Sequence, residues 1–371
     1  MASASDQAIF FFRWHTVSGF AAILLNVGAC FTFIGDILPM KIIPCNNIRF
    51  GEPFIILDSN TYIEFARFYY NGKCSSPERT NFVRCLLVFS RILNGSFQYN
   101  IAGNEIAFDY GLNDKNDDAW EQTFSAVDSL VVEVPTEDII GFRQPVEKPF
   151  YLHRNNLCLY KSVFETNYPQ VFSIDDNPLD VFYISYLYRI KIQEFYQDKV
   201  LSPIEKIEHL FDYMTDTIGI FGDIEFQAAK MLFIGHQDSQ TAKNLLKVDK
   251  HIDVALLNNT VSDIVQFRIA REIGTRLSTP VFYVTGDKGL QRTFELNKTL
   301  VSSNFNIGSV SGDLSDIRPT LKKAWQELYE VKIYPAMKRK FVMSPFIKRD
   351  LDSIIRQVKE EIVKVERKII G

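Results

Sequence analysis

The 371-residue chain has few cysteines and histidines, and none of them fall into metal-binding or disulfide patterns. Cys30, Cys45, Cys74, Cys85 and Cys158 form no CxxC and no paired spacing. Their odd number and scatter exclude a disulfide framework and a cysteine-held zinc, and they predict a reducing, cytoplasmic setting. The five histidines form neither HxxxH nor HExxH, which excludes the common histidine-bound transition-metal sites. Any metal is therefore expected to be hard and oxygen-ligated. An overall positive charge is also missing, since the net charge is −4. That excludes a global basic footprint for nucleic acid. The charge is uneven, however: residues 322–371 carry 13 Lys/Arg against 7 Asp/Glu. A basic tail on an acidic body is compatible with local nucleic-acid contact or with an ordinary solvated helix.

One long apolar run is present. Residues 17–35, VSGFAAILLNVGACFTFIG, lie between Arg13 and Asp36 and are almost long enough to span a bilayer. Asn26, Ser18, Thr32 and three glycines weaken it as a spanning helix. It reads as a membrane anchor, as a segment packed on the body, or as an upstream extension before a natural start at Met40. A signal peptide fits poorly, because no small-residue cleavage site follows.

FIIL at 54–57 has the pattern of a short, fully buried strand. TYIEFARFYY at 61–70 changes to helical spacing. Residues 76–95 predict a helix with Phe82, Cys85, Leu86, Phe89 and Leu93 on its apolar face, started by Ser76-Pro77 and stopped by Gly95. IAGNEIAFDYG at 101–111 is a shorter helical segment. Strand, helix, helix is how an α/β sheet with right-handed crossovers begins. Residues 115–245 read as an insertion. Its second half, from Pro178, is helical and rich in aromatics, with a capping box at Ser202-Pro203-Ile204-Glu205. The aromatic face is expected to be core rather than a base-stacking platform. Alternation resumes at 251–274, where Asp263 is read as opening a helix, with Phe267, Ala270 and Gly274 on its face. VFYV at 281–284 follows as a strand, and 305–312 as a last one. Between residues 351 and 370, Leu351, Ile355, Val358, Ile362, Val365 and Ile369 form an a/d seam. The seam predicts docking on the body or contact with a second copy or partner protein.

The two strands share one feature: each ends in a carboxylate, Asp58 and Asp287. In parallel α/β sheets, ligands bind outside the carboxyl ends of the strands. Asp263 and Glu105 come from stretches expected near the same rim. Clustered carboxylates raise one another's pKa unless a cation neutralises them, and their usual companion is Mg²⁺ or Mn²⁺. Such an ion can activate water and polarise a phosphate. Each acid taken alone reads more readily as a turn former or helix cap than as a catalytic group, and the ordered set is more specific than its members.

FIILDSNTYIEF resembles the opening strand of PIN-domain nucleases. NEIAFDYG resembles the helix carrying their second acid. SDIVQFRIAREIG followed by PVFYVTGDKGL resembles their closing helix and strand. The resemblance covers about 54–112 and 251–310. It implies a Rossmann-like parallel sheet with a large, mostly helical insertion and a C-terminal amphipathic helix. It also implies an Mg²⁺/Mn²⁺-dependent endonuclease acting on RNA, single-stranded by expectation, and it allows a toxin-like or defence role. The implied metal and catalytic acids are Asp58, Glu105, Asp263 and Asp287. Family members keep the second and third acids closer than 105 and 263, so Asp109, one turn from Glu105, is the substitute for it. Asp253 competes with Asp263. Thr285 would brace the loop carrying Asp287, and Ser59 and Asn60 would orient a metal water. Lys288, Arg292, Arg268 and Arg271 are candidates for holding phosphate, or plain surface charge. The organisation expected is an extension over 1–46, a nuclease domain over 47–315 and a helical tail over 316–371.

Two phosphotransfer folds also begin with strand–Asp. Haloacid-dehalogenase-like enzymes need an acid where Asn60 stands, and receiver domains need an acidic pair where Ser59 stands. A catalytically idle PIN-like interaction module is the other reading, since fold does not guarantee activity.

Overall fold

Four short strands form one mixed sheet, and helices make up most of the remaining described chain. The computed structural model describes residues 40–45, 47–48, 51–92, 96–99, 126–127, 130, 139, 178–277, 279–293, 314–337 and 351–370. The apolar run at 17–35, the Glu105/Asp109 segment and the strand expected at 305–312 lie outside them. In chain order the main elements are β1 (Lys41–Pro44), β2 (Phe54–Leu57), α1 (Ser59–Asn71), α2 (Pro77–Ile92), β3 (Ser96–Tyr99), α3 (Pro178–Gln197), α4 (Pro203–Asp212) and α5 (Asp223–Ile234). They continue with α6 (Ser239–Leu246), α7 (Val254–Arg276), β4 (Val281–Thr285), α8 (Lys322–Leu328) and α9 (Leu351–Ile369). The chain divides into two compact units, Met1–Asp175 with Gln266–Gly286, and Asp176–Val265 with Asp287–Gly371.

In the first unit the strand order is β1-β4-β2-β3. β2 pairs in parallel with both β3 and β4, and every residue of β2 and β4 is buried. Burial on both faces explains why these strands are continuously apolar rather than alternating. β1 pairs antiparallel with β4, from Lys41↔Thr285 to Pro44↔Phe282. Residues 41–44 therefore belong to the sheet and not to an N-terminal extension, and the sheet is mixed rather than all parallel. Pro44, which has no N–H to give, is tolerated because it closes an edge strand.

Helix α1 buries Tyr62, Phe65, Ala66, Phe68 and Tyr69, and ends at Gly72 in the left-handed region (φ 67°). In α2 the expected Phe82 and Leu86 are buried, but Val83, Leu87 and Val88 are too, while Cys85 is only half-buried. The stripe is wider because the helix packs into a core shared with α1, β2 and β4. Glu64 clasps the α1–α2 connection: its carboxylate accepts from Ser75 N at 2.8 Å, Arg67 at 2.9 Å and Arg79 at 3.0 Å. At Gly274 an added Cβ would meet the Cys45 carbonyl oxygen at 2.5 Å, so the approach of these backbones requires glycine.

The second unit is helical. The capping box forms as expected: Ser202 Oγ accepts from Glu205 N, and Glu205 accepts from Ser202 N. The aromatic residues Phe182, Tyr186, Tyr188 and Phe195 of α3 are core, as expected. Helix α9 lies along α3. Its seam residues Ile355, Val358 and Val365 are buried, and each such side chain contributes about 1.5–3 kcal/mol. Polar ties flank the seam: Tyr186 OH donates to Glu366 at 2.5 Å and Lys368 to Glu194 at 3.0 Å. Of the two expectations for this helix, docking on its own chain is the one observed.

Candidate functional site

Asp58 is the residue on which the candidate site is built. β2 continues on one side through α1 and α2 to β3, while β4 lies on its other side. The carboxyl ends of β2 and β4 thus form a point where chain connections diverge, the place where open α/β sheets bind ligands. Asp58 follows β2 directly, and its backbone N–H donates to Val284 O at 3.0 Å. Its carboxylate is almost fully buried and held from two sides. Oδ1 accepts from Thr61 N at 2.6 Å, which makes Asp58 the N-cap of α1. Oδ2 accepts from Thr285 Oγ1, at the end of β4, at 2.6 Å. Thr61 Oγ1 in turn donates to Val284 O at 3.3 Å. Burial pushes the Asp58 carboxyl above the usual carboxylate range. The bonds from Thr285 and Thr61 and from the Gly286 backbone pull the other way without cancelling it.

Thr285 therefore bonds to Asp58, where the sequence reading had it bracing the Asp287 loop. Parallel pairing of Leu57 with Val284 carries the next residues side by side, which favours a short-range bond between them. Ser59 and Asn60 lie in the first turn of α1, with Asn60 exposed. Thr61 is a participant the sequence reading missed. Its signal was Asp followed three residues later by a hydroxyl residue at a helix start.

The remaining candidates are placed as follows. Asp263 does not open a helix: it is inside α7, half-buried, with Oδ2 3.9 Å from Lys247 Nζ. The cap is Asp253, whose Oδ1 accepts from Leu256 N at 2.7 Å. A carboxylate at that first turn satisfies the free amides there, whereas Ser262-Asp263 occupy half-exposed positions that tolerate polar residues. Asp287 caps the helical turns at 288–293, accepting from Leu290 N at 2.8 Å. Arg292 is engaged by Asp238 at 2.7 Å, so its guanidinium is not a free phosphate ligand. Lys288 is exposed, and Arg268 is half-buried. Among the described residues, no three His, Cys, Asp or Glu side chains gather at metal-holding range, and no helix is long and apolar enough to cross a membrane. Burial raises all three described thiols, Cys45 and Cys74 to about 12 each, which disfavours the thiolate form at neutral pH.

The donor at this sheet edge is a single carboxylate, the ligand type that hard cations take. Among the described residues this carboxylate has no cationic partner; burial raises it, and each oxygen keeps a further lone pair. No family model matches the chain, and neither a curated protein nor a solved structure matches it.

Proposed function

We propose that this chain is a PIN-type, Mg²⁺/Mn²⁺-dependent endoribonuclease on a Rossmann-like sheet, acting on single-stranded RNA in the cytoplasm. The observation that supports it best is the 2.6 Å bond from Thr285 to Asp58. It ties residues 227 positions apart at the carboxyl ends of two parallel strands. Asp58 and Thr285 are both residues that the PIN resemblance names.

In this reading Asp58 would hold the ion; Asp263, Asp287 and Glu105 or Asp109 are the further acids that the resemblance names, and among the described residues no three acids gather at metal-holding range. The ion supplies Lewis-acid activation of water and of the scissile phosphate. Thr285 and the Thr61 amide fix the Asp58 carboxylate in one orientation, so no reorganisation is needed when an ion arrives. By the resemblance, Ser59 and Asn60 are the residues that would orient water, and Lys288, Arg268 and Arg271 those that would contact phosphate. Arg292, engaged by Asp238, serves structure instead.

One observation favours the second reading, an idle PIN-like module. Both Asp58 oxygens already satisfy protein donors, as in a purely structural helix cap. Cleavage of single-stranded RNA in Mn²⁺ separates the two. Wild type is expected to cut and Asp58→Asn to lose cutting. Equal cutting by both removes Asp58 from the mechanism. No cutting by either, with no metal-induced rise in melting temperature, favours the idle module.

A further inference from the structure

The second unit contains a charge the nuclease reading does not use. Arg189, on α3, is fully buried. Its Nη1 donates to Gln193 Oε1 at 3.1 Å, while Nε and Nη2 have no hydrogen-bond partner among the described residues. Among the described residues no carboxylate forms an ion pair with it. Burying an uncompensated guanidinium costs several kcal/mol, about what makes broken internal ion pairs so destabilising. Desolvation pulls Arg189 down to about 10, with Tyr186 opposing.

Gln193, which touches Arg189, forms part of the wall of a surface cavity of about 340 Å³. Its Nε2 donates to Val248 O at 3.3 Å and keeps a second N–H. Lys199, Lys250 and His251 line the same cavity and are exposed. The one acid in its wall, Asp249, is already engaged: Tyr196 OH donates to it, and Lys243 Nζ lies 3.3 Å away. Two exposed lysines thus share the cavity wall with Gln193, which contacts the buried Arg189, and the one carboxylate of that wall, Asp249, already has Tyr196 and Lys243 as partners.

We propose that this cavity binds a small phosphate-bearing molecule, with Lys199 and Lys250 pairing its phosphate, the free Gln193 N–H donating to it, and Arg189 acting through Gln193. Ammonium groups suit phosphate as point charges. The volume, at the small end of ligand sites of roughly 300–1,000 Å³, suits a phosphate with a small organic body. This inference does not rest on the Asp58 site.

The test is a titration of the metal-free full chain with inorganic phosphate, followed by ³¹P line width and calorimetry. Wild type and Asp58→Asn are expected to bind alike. The surface double variant Lys199→Ala/Lys250→Ala should bind about tenfold more weakly or worse, as loss of charge-assisted bonds requires. Arg189→Met should weaken binding similarly; if it does not fold, the lysine variant decides. Absence of binding by wild type, unchanged binding by the lysine variant, loss of binding in Asp58→Asn, or equal binding of acetate would each overturn the proposal.

Discussion

Replacing Thr285 with valine tests the centre of the candidate site without changing its volume much. The hydroxyl donates at 2.6 Å to Asp58 Oδ2; Thr285 is fully buried and Asp58 nearly so. A hydrogen bond to a charged group contributes about 1.5–3 kcal/mol, and leaving the carboxylate oxygen unsatisfied forfeits it. The new methyl returns about 0.8 kcal/mol of burial. The net loss expected at neutral pH is therefore about 1–2 kcal/mol, or a fall in Tm of about 2–8 °C at about 2–4 °C per kcal/mol. The pH dependence identifies the cause. Asp58 is raised in the folded chain, so the fold binds its proton more tightly than the unfolded chain does. Stability from this group is then fully present below the unfolded pKa and is lost as pH rises through the folded one. The hydroxyl opposes that loss by stabilising the ionised form. Its removal raises the pKa further, so the deficit of Thr285→Val must grow with pH. Calorimetry of both proteins from about pH 4 to about pH 8 reads this difference directly. A deficit that is the same at both ends, or no deficit at neutral pH, refutes the account of Asp58 as a buried carboxylate steadied by Thr285.

Other expectations follow from the same geometry. Thr285→Val, if Asp58 holds an ion, should also lower Mn²⁺-dependent cleavage by about 10–100-fold, measured as initial rates. Adding Mn²⁺ at about 100 times its Kd should stabilise wild type by about 2.7 kcal/mol and leave Asp58→Asn unmoved in a thermal melt. For Glu64, burial alone would raise the carboxyl, but Ser75, Arg79 and Arg67 outweigh it and hold it below the usual range. Its contribution is present above the unfolded pKa and lost as pH falls through the folded one, so acid titration of Glu64→Gln should show a flatter curve than wild type. Val358→Asp places a charge in the fully buried α3–α9 seam and should expose residues 351–370 to limited proteolysis; protection equal to wild type would show that the seam does not hold the helix.

The sequence revealed the elements whose cause is local. FIIL and VFYV stood out because burial on both faces requires unbroken apolar runs. The Ser202 capping box is contained within four residues. The α9 seam was visible as a repeat, and α3, which covers it, as an aromatic helical stretch. What the sequence hid depends on distant partners. KIIP is too short to distinguish from a leader until β4 supplies its hydrogen bonds. Asp263 read as a cap because Ser-Asp is a capping pair, but the apolar VALLNN stretch before it already continues the helix from Asp253. Arg292 looked like a free cation because Asp238 lies 54 positions away. At the candidate site, Asp58 was legible from strand-then-acid. Its bond to Thr285 depends on the register of β2 against β4, which no local pattern encodes.

The antiparallel β1 has a consequence for how the protein meets other copies of itself. β1 covers the flank of β4 and is only four residues long, ending in Pro44. Among the described residues β1 is the edge of the sheet, so its outward rim offers few amide donors to an incoming chain, and the imino acid interrupts them further. This flank resists growth of the sheet by strand addition, so a concentrated solution gains little by recruiting neighbours along it.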